Sequence, residues 1–547
     1  MLFAARSATA LHRLLDVLPV FAGDHRISRH FTLVPGSEFG LDALTAVERA
    51  GARTIPWDQA RGQVHDVILA ASPKGDVGLL HGPCVLLPHG AGFGKTVPGE
   101  GSGPATPSGL DPARLLLGDR PLAAVHALAH PSQVSRIASS SPRAAAAATV
   151  IGDPTLDRML ASRAHRERYR RALGTGARTL VVLTSTWGPE SLLRQRPELA
   201  AELVTLLPYD SHQVALIVHP NERSRLGSFE LAERLAPALD AGLILPGPYE
   251  EWAAVLIAAD AVITDHGSTA LYAAALDLPL IGAYDGGREL VPGSPMAEFL
   301  ARGPRLERHA LDAGGLRVLL SGHEPELIRT VAESAFAERG RALELLRSEV
   351  YRLLDLAPPS APVTARVLPA PRTTALRTPG AFAVRADVAR DTVRVERFPA
   401  QRPGPSHHLA AEHGTAGERH AQSAAVLFRR AAPPAQGAPY EVAWTAAGWT
   451  EHILDSYPGC RTAAAVLSPS RCLVQNRAGL LLSVRIEPCG EGGRVVTTDP
   501  AAVVSAVHAW LWAGRARVPA MLRCEIGGRT YEVGLAEATE EERALGL

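Results

Sequence analysis

From residue 1 to about residue 320 this chain alternates short apolar runs with stretches of helical period, and nothing else in it constrains the fold as strongly. Short apolar runs bounded by turn residues mark buried strands, and strands spaced by helical patterns build βαβ units on a parallel sheet. The runs fall at 2–5, 31–34, 53–56, 66–70, 84–88 and 149–151, then at 179–184, 213–218, 243–245, 261–264 and 280–283, with helices such as 197–207 and 229–239 between them. This pattern predicts two consecutive doubly wound halves, and open parallel sheets bind ligands beyond the carboxyl ends of their strands. The opening stretch "MLFAARSATALHRLLDVLPVFAG" is read as a strand and a helix, because His12, Arg13 and Asp16 interrupt the apolar run that a signal peptide needs.

A chain of 547 residues is too long for one core. The expected units are an N-terminal Rossmann-like domain at 1–150 and a second Rossmann-like domain at 151–322. Closing helices follow at 323–356, where Leu343, Leu346, Val350 and Leu353 share one face. The stretch 357–437 is rich in Pro and Gly and is read as a linker region, and 438–547 as a small α+β domain to which no chemistry attaches. Formal net charge is zero, with 56 basic and 56 acidic side chains, so no global field favours nucleic acid or an anionic membrane. Among the basic residues only Lys74 and Lys95 are lysines. The five cysteines, Cys84, Cys460, Cys472, Cys489 and Cys524, have no C-x-x-C spacing and suggest a reduced, cytoplasmic protein.

Three motifs sit at strand ends. The first, "PHGAGFGKT" at 88–96, matches the phosphate-cradling pattern G-x-x-x-x-G-K-[ST] except that His89 replaces the first glycine. A P-loop also needs a helix after Thr96, and "VPGEGSGPATPSGLDP" cannot form one. The alternatives are a general base at His89 with Lys95 as a point charge for phosphate, or a plain strand-ending turn at His89 and Gly90. The second motif is Asp265-His266-Gly267-Ser268-Thr269, a small-residue turn between a buried strand and a helix. Gly267 lets a diphosphate approach, and the Ser268 and Thr269 hydroxyls and helix-start N–H groups stabilise it; an ordinary capped βα turn is the other reading. The third is His219-Pro220, which closes the apolar run "VALIV". Four further histidines, His407, His408, His413 and His420, are read as solvated loop residues rather than metal ligands.

Taken in order, a His-Gly loop with a lysine, Gly152-x-Pro154-x-x-Asp157, a strand ending Thr186-Trp187, His219-Pro220, and a strand ending Thr264-Asp265-x-x-Ser268 resemble the CDP-glycerol glycerophosphotransferase family of teichoic acid polymer enzymes. The resemblance spans about residues 80 to 300 and rests on the order of the motifs. It implies a GT-B fold of paired Rossmann-like halves, and transfer of glycerol phosphate from CDP-glycerol to an acceptor hydroxyl in cell-wall polymer synthesis, with CMP leaving. By position it implies catalytic roles for His89, Lys95 and His219, donor-phosphate binding by Asp265, His266, Gly267, Ser268 and Thr269, and loop support from Gly90, Asp153 and Thr186. The chain departs from the family at Thr155 and Gly188, where basic residues are usual, and at His266-Gly267, which is similar to the turn that many GT-B glycosyltransferases and the UDP-N-acetylglucosamine 2-epimerases present to a uridine diphosphate.

The expected enzyme is therefore a transferase with two partners, a nucleotide-activated small molecule and a hydroxyl acceptor, and membrane association arises only through the acceptor. No cofactor is expected, since no carboxylate cluster has magnesium-ligand spacing. The loop 97–111 is a candidate lid over the acceptor. A nucleotide-sugar glycosyltransferase or 2-epimerase-like enzyme, a non-catalytic binding protein on the same scaffold, and a P-loop GTPase or ATPase are the alternatives.

Overall fold

A computed structural model describes residues 1–36, 40–87, 90–97, 106–307, 313–322, 324–375, 377–401, 406–431, 443–514 and 520–547. The first unit is a six-stranded sheet of β1 (Leu2–Ala5), β2 (His30–Leu33), β3 (Ile68–Ala70), β4 (Cys84–Leu86), β5 (Val125–Leu128) and β6 (Ala148–Val150). All pairs are parallel, in the order β2-β1-β3-β4-β5-β6. Residues 53–56 contribute only an isolated bridge between Phe31 and Thr54. Strand β5, with His126 in the middle of "VHAL", escaped the apolar-run criterion although the whole strand is buried.

The second unit is a four-stranded parallel sheet of β7 (Thr179–Ser185), β8 (His212–Val218), β9 (Ala261–Thr264) and β10 (Leu280–Gly282), in the order β8-β7-β9-β10. The chain winds outward from β7 to β8 and then returns to the other side of β7, so the loops after β7 and β9 flank the point where strand order reverses. In the first sheet the corresponding reversal lies between β1 and β3. At such points the loops diverge and leave a crevice beyond the strand ends. Helix Pro325–Ala335 packs into the core of the second unit, whereas helix Ala342–Leu353 crosses back: Leu343, Leu346, Val350 and Tyr351 join Phe3 and Phe21 in the core of the first. The two units are thus held by a shared chain return.

The C-terminal unit is not a small α+β domain. Nine strands between Ala381 and Glu537 close into a barrel, and four of them, Ala381–Ala389, Thr392–Pro399, His408–Glu412 and Val426–Arg430, come from the stretch read as linker. "AFAVRADVA" and "TVRVERFP" alternate buried and outward residues with the period of a strand, a signal obscured by their Pro- and Gly-rich surroundings. Helix Pro500–Trp512 is apolar on every side and packs against strands around the barrel, filling its interior. The histidines read as solvated belong to this unit: His408 is buried edge-on against His508 with ring centroids 4.6 Å apart, and His413 packs against Trp449 and Tyr457. A buried Arg397, paired with Asp210 of the second unit and Asp499 of the barrel, joins the two. Among the described residues no helix is long and apolar enough to cross a membrane.

Candidate functional site

The two reversal points face one another across a cleft. From the first unit, Arg6 and Ser7 follow β1 and Ser72 and Lys74 follow β3; from the second, Thr186 and Trp187 follow β7 and His266, Gly267 and Ser268 follow β9; all line one cleft. Both lysines of the chain, Lys74 and Lys95, border it. An adjoining cavity lies between helix Ala8–Asp16 and residues 246–250, and shares Thr9, His219 and Ser268 with the first.

The predicted donor turn is built around Asp265, which is fully buried. One carboxylate oxygen accepts the Thr186 and Leu192 amides at 2.9 Å each, and the other accepts the Gly267 amide at 2.9 Å. Its acceptor capacity goes to fixing the loops after β7 and β9, so Asp265 shapes the turn rather than contacting a ligand. Gly267, Ser268 and Thr269 are half-buried at the cleft, and the Ser268 side chain makes no capping bond to helix Thr269–Ala275. The His266 ring is buried beneath Gly286, where an added Cβ would come within 2.4 Å of the ring.

The loop of the first unit reaches this turn. A Cβ placed on Gly90 would lie 3.3 Å from Ser268 Oγ, and one on Gly92, whose φ is +77°, would lie 2.6 Å from Leu271 Cδ1, so glycine at both positions eases this close approach. Residues 94–96 then run as an extended ribbon along the second unit: Thr96 N–H donates to Glu289 O at 2.8 Å and Val291 N–H to Gly94 O at 2.9 Å. Arg136 donates to Gly92 O and Phe93 O of the same loop and to Gly293 O of the second unit, tying the two together. Thr96 opens no helix, and this ribbon geometry is not that of a phosphate-cradling P-loop. His89 lies outside the described residues, as does most of the candidate lid at 98–105.

Lys95 is engaged. Its ammonium pairs with Glu289 Oε2 at 2.9 Å, donates to the Trp187 carbonyl and lies 4.8 Å above the Trp187 ring. Glu289 is buried and its Oε2 is also 3.4 Å from His266 Nε2. Burial favours the neutral acid, but the His266 ring and the Lys95 ammonium outweigh it and hold the Glu289 carboxyl below its usual range. Sequence reasoning missed Glu289; its signal, an acid flanked by "DGGR" and "LVPG", is indistinguishable from a loop residue. His219 caps helix Pro220–Arg234, its Nδ1 accepting the Asn221 amide at 3.1 Å, and lines both cavities. That bond assigns the proton of the neutral ring to Nε2. Asp153 caps helix Pro154–Ser162 and accepts the Tyr272 hydroxyl at 2.7 Å, which places it in the junction between units. Thr186 serves through its backbone amide. At Gly188 (φ +95°), a Cβ would lie 3.4 Å from Glu289 Oε1 and 3.6 Å from Lys95 Nζ, so this position stands directly against the Lys95–Glu289 pair.

No family model matches the sequence, and no curated protein matches it. Among solved structures the chain is similar to the wall teichoic acid polymerase TagF, at 13% identity over 65% of this chain and 89% of that one, with a TM-score of 0.45. It is also similar to S. aureus MnaA in a co-structure with UDP, at 12% identity over 65% and 97% of the two chains and a TM-score of 0.40. A UDP-GlcNAc 2-epimerase from Methanocaldococcus jannaschii, in complex with UDP-GlcNAc and UDP, gives 12%, 64% and 99%, with a TM-score of 0.41.

Proposed function

We propose that the two parallel-sheet units act as a GT-B-like transferase on a nucleotide-diphosphate donor, with CDP-glycerol-dependent transfer of glycerol phosphate to an acceptor hydroxyl as the leading form. The observation that carries this is the convergence of the Gly90 loop and the Ser268 turn, from opposite units, on one cleft at both strand-order reversals. In this reading the donor phosphates rest against Gly267, Ser268 and Thr269. The acceptor enters from the side of Arg6 and Lys74, and His89 takes its proton as the new P–O bond forms and the bond to CMP breaks. His219 presents a donor Nε2–H to the developing charge. Lys95, tied to Glu289, contributes mainly by holding the loop in register and supplying fixed positive charge. Placement and charge stabilisation are what phosphoryl transfer asks of a protein, so no metal is required by this scheme.

A nucleotide-sugar donor is the second reading, favoured by the His266-Gly267 turn. Release of CMP from CDP-glycerol, or of UDP from UDP-N-acetylglucosamine, separates the two when followed by chromatography. His89→Ala should lower turnover by roughly a hundred- to ten-thousandfold with donor binding retained. A wild-type protein that binds donor and turns over neither compound would support a binding role instead.

A further inference from the structure

Four buried polar atoms without a hydrogen-bond partner surround the cavity between helix Ala8–Asp16 and residues 246–250. They are Thr9 Oγ1, His12 Nε2 and Arg13 Nη1 of the first unit, and Arg223 Nε of the second. Such atoms are rare in folded proteins, and four around one cavity call for a missing partner. A third arginine at the same cavity shows the contrast: Arg158 is consumed by Asp16 and Glu250, each at 2.8 Å. Arg13 lies 5.1 Å over the Tyr272 ring and has Asp153 at 3.7 Å, whose oxygens already accept the Leu156 amide and the Tyr272 hydroxyl, so its Nη1 keeps no hydrogen-bond partner. Arg223 donates to Pro246 O at 2.6 Å and leaves Nε unused, and burial pulls its guanidinium down to about 10. Tyr249, Trp252 and Tyr272 supply aromatic walls, and Ser268 and Thr269 form the rim shared with the donor turn.

We infer that Arg13 and Arg223 grip the diphosphate of the nucleotide from opposite sides of the cleft, with its nucleoside against the aromatic wall; this rests on the donor reading above. Thr155 lines the same cavity but gives its hydroxyl to Asp16, so it offers a ligand no charge there. Guanidinium groups suit this task, because their fork of N–H donors matches two phosphate oxygens. Arg13 belongs to the first unit and the Ser268 turn to the second, so a diphosphate bound by both favours the closed arrangement of the units.

The test is calorimetric titration of the full chain with CDP and UDP, and with cytidine and uridine, comparing wild type with Arg13→Gln, Arg223→Gln, Arg13→Lys and Arg223→Lys. Each Gln variant should weaken the diphosphate about ten- to hundredfold, as loss of a charge-assisted hydrogen bond does, and leave the nucleoside unaffected, with the Lys variants between. If wild type binds a nucleoside diphosphate and both Gln variants bind it equally well, the inference is overturned while the donor reading stands. If wild type binds no nucleotide, the donor reading itself falls. Should Arg13→Gln fail to fold, Arg223→Gln decides, together with the salt dependence of wild-type binding, where an affinity indifferent to salt counts against the arginine grip.

Discussion

Asp265 gives both carboxylate oxygens to backbone amides of two loops, and Gly286 lies flat on the His266 ring. Asp265→Ala leaves three amides to find new partners and should destabilise the second unit by roughly 3 kcal/mol, read from the midpoint of urea unfolding. Gly286→Ala meets two penalties, a left-handed φ of +81° and a Cβ 2.4 Å from the ring. It should cost about 1–3 kcal/mol and disturb the Glu289–Lys95 pair, lowering kcat more than donor affinity. At this scale the sequence was partly legible. Small residues and hydroxyls at a strand end pointed to the Ser268 turn, yet "TDHGST" could not tell that the acid would be spent on backbone amides. Nor could it show that Lys95 would find Glu289 almost two hundred residues downstream, since that pair exists only once the two units meet.

Helix Ala342–Leu353 is the element that returns the chain to the first unit, and Asp157 receives its N-terminal turn through the Gly340 and Leu343 amides. Burial pushes the Asp157 carboxyl from 3.8 up to about 6, against the pull of those amides. Its folded pKa lies above its unfolded value, so the native state holds the proton more tightly. Stability from this group therefore falls as pH rises from about 4 through 6. Asp157→Asn should flatten the melting temperature across that window, and an unchanged slope would contradict the assignment. The helix face of Leu343, Leu346, Val350 and Leu353 was legible as a 3.6-residue period, but which unit it covers was not, because periodicity reports a buried side and never the partner. Strand β5 and the barrel strands from Ala381 were hidden for a related reason: a histidine or a proline-rich flank breaks a run without breaking burial.

Across the whole molecule, two parallel sheets share a cleft and a barrel is bolted to the second of them through Arg397. Arg397→Ala leaves Asp210 and Asp499 without their buried partner and should cost about 3–5 kcal/mol, seen in calorimetric unfolding of the full chain. The barrel should also be acid-sensitive. Burial holds His408 at about 3 and His508 at about 4, well below their unfolded value of 6.5. The neutral native rings therefore stabilise the barrel above pH 6.5, and that stability is lost as pH falls from 6.5 toward 4, so its unfolding transition should move to lower temperature there. The α/β architecture could be read from strand spacing alone, whereas the barrel could not. The account turns on the donor, and the most direct measurement is calorimetric binding of CDP-glycerol and UDP-N-acetylglucosamine in EDTA, to wild type and Ser268→Ala. Metal-free binding of one of them, weakened about fivefold by loss of the Ser268 hydroxyl, is the predicted result. Binding of GTP alone, dependent on magnesium and abolished by Lys95→Ala, would contradict it.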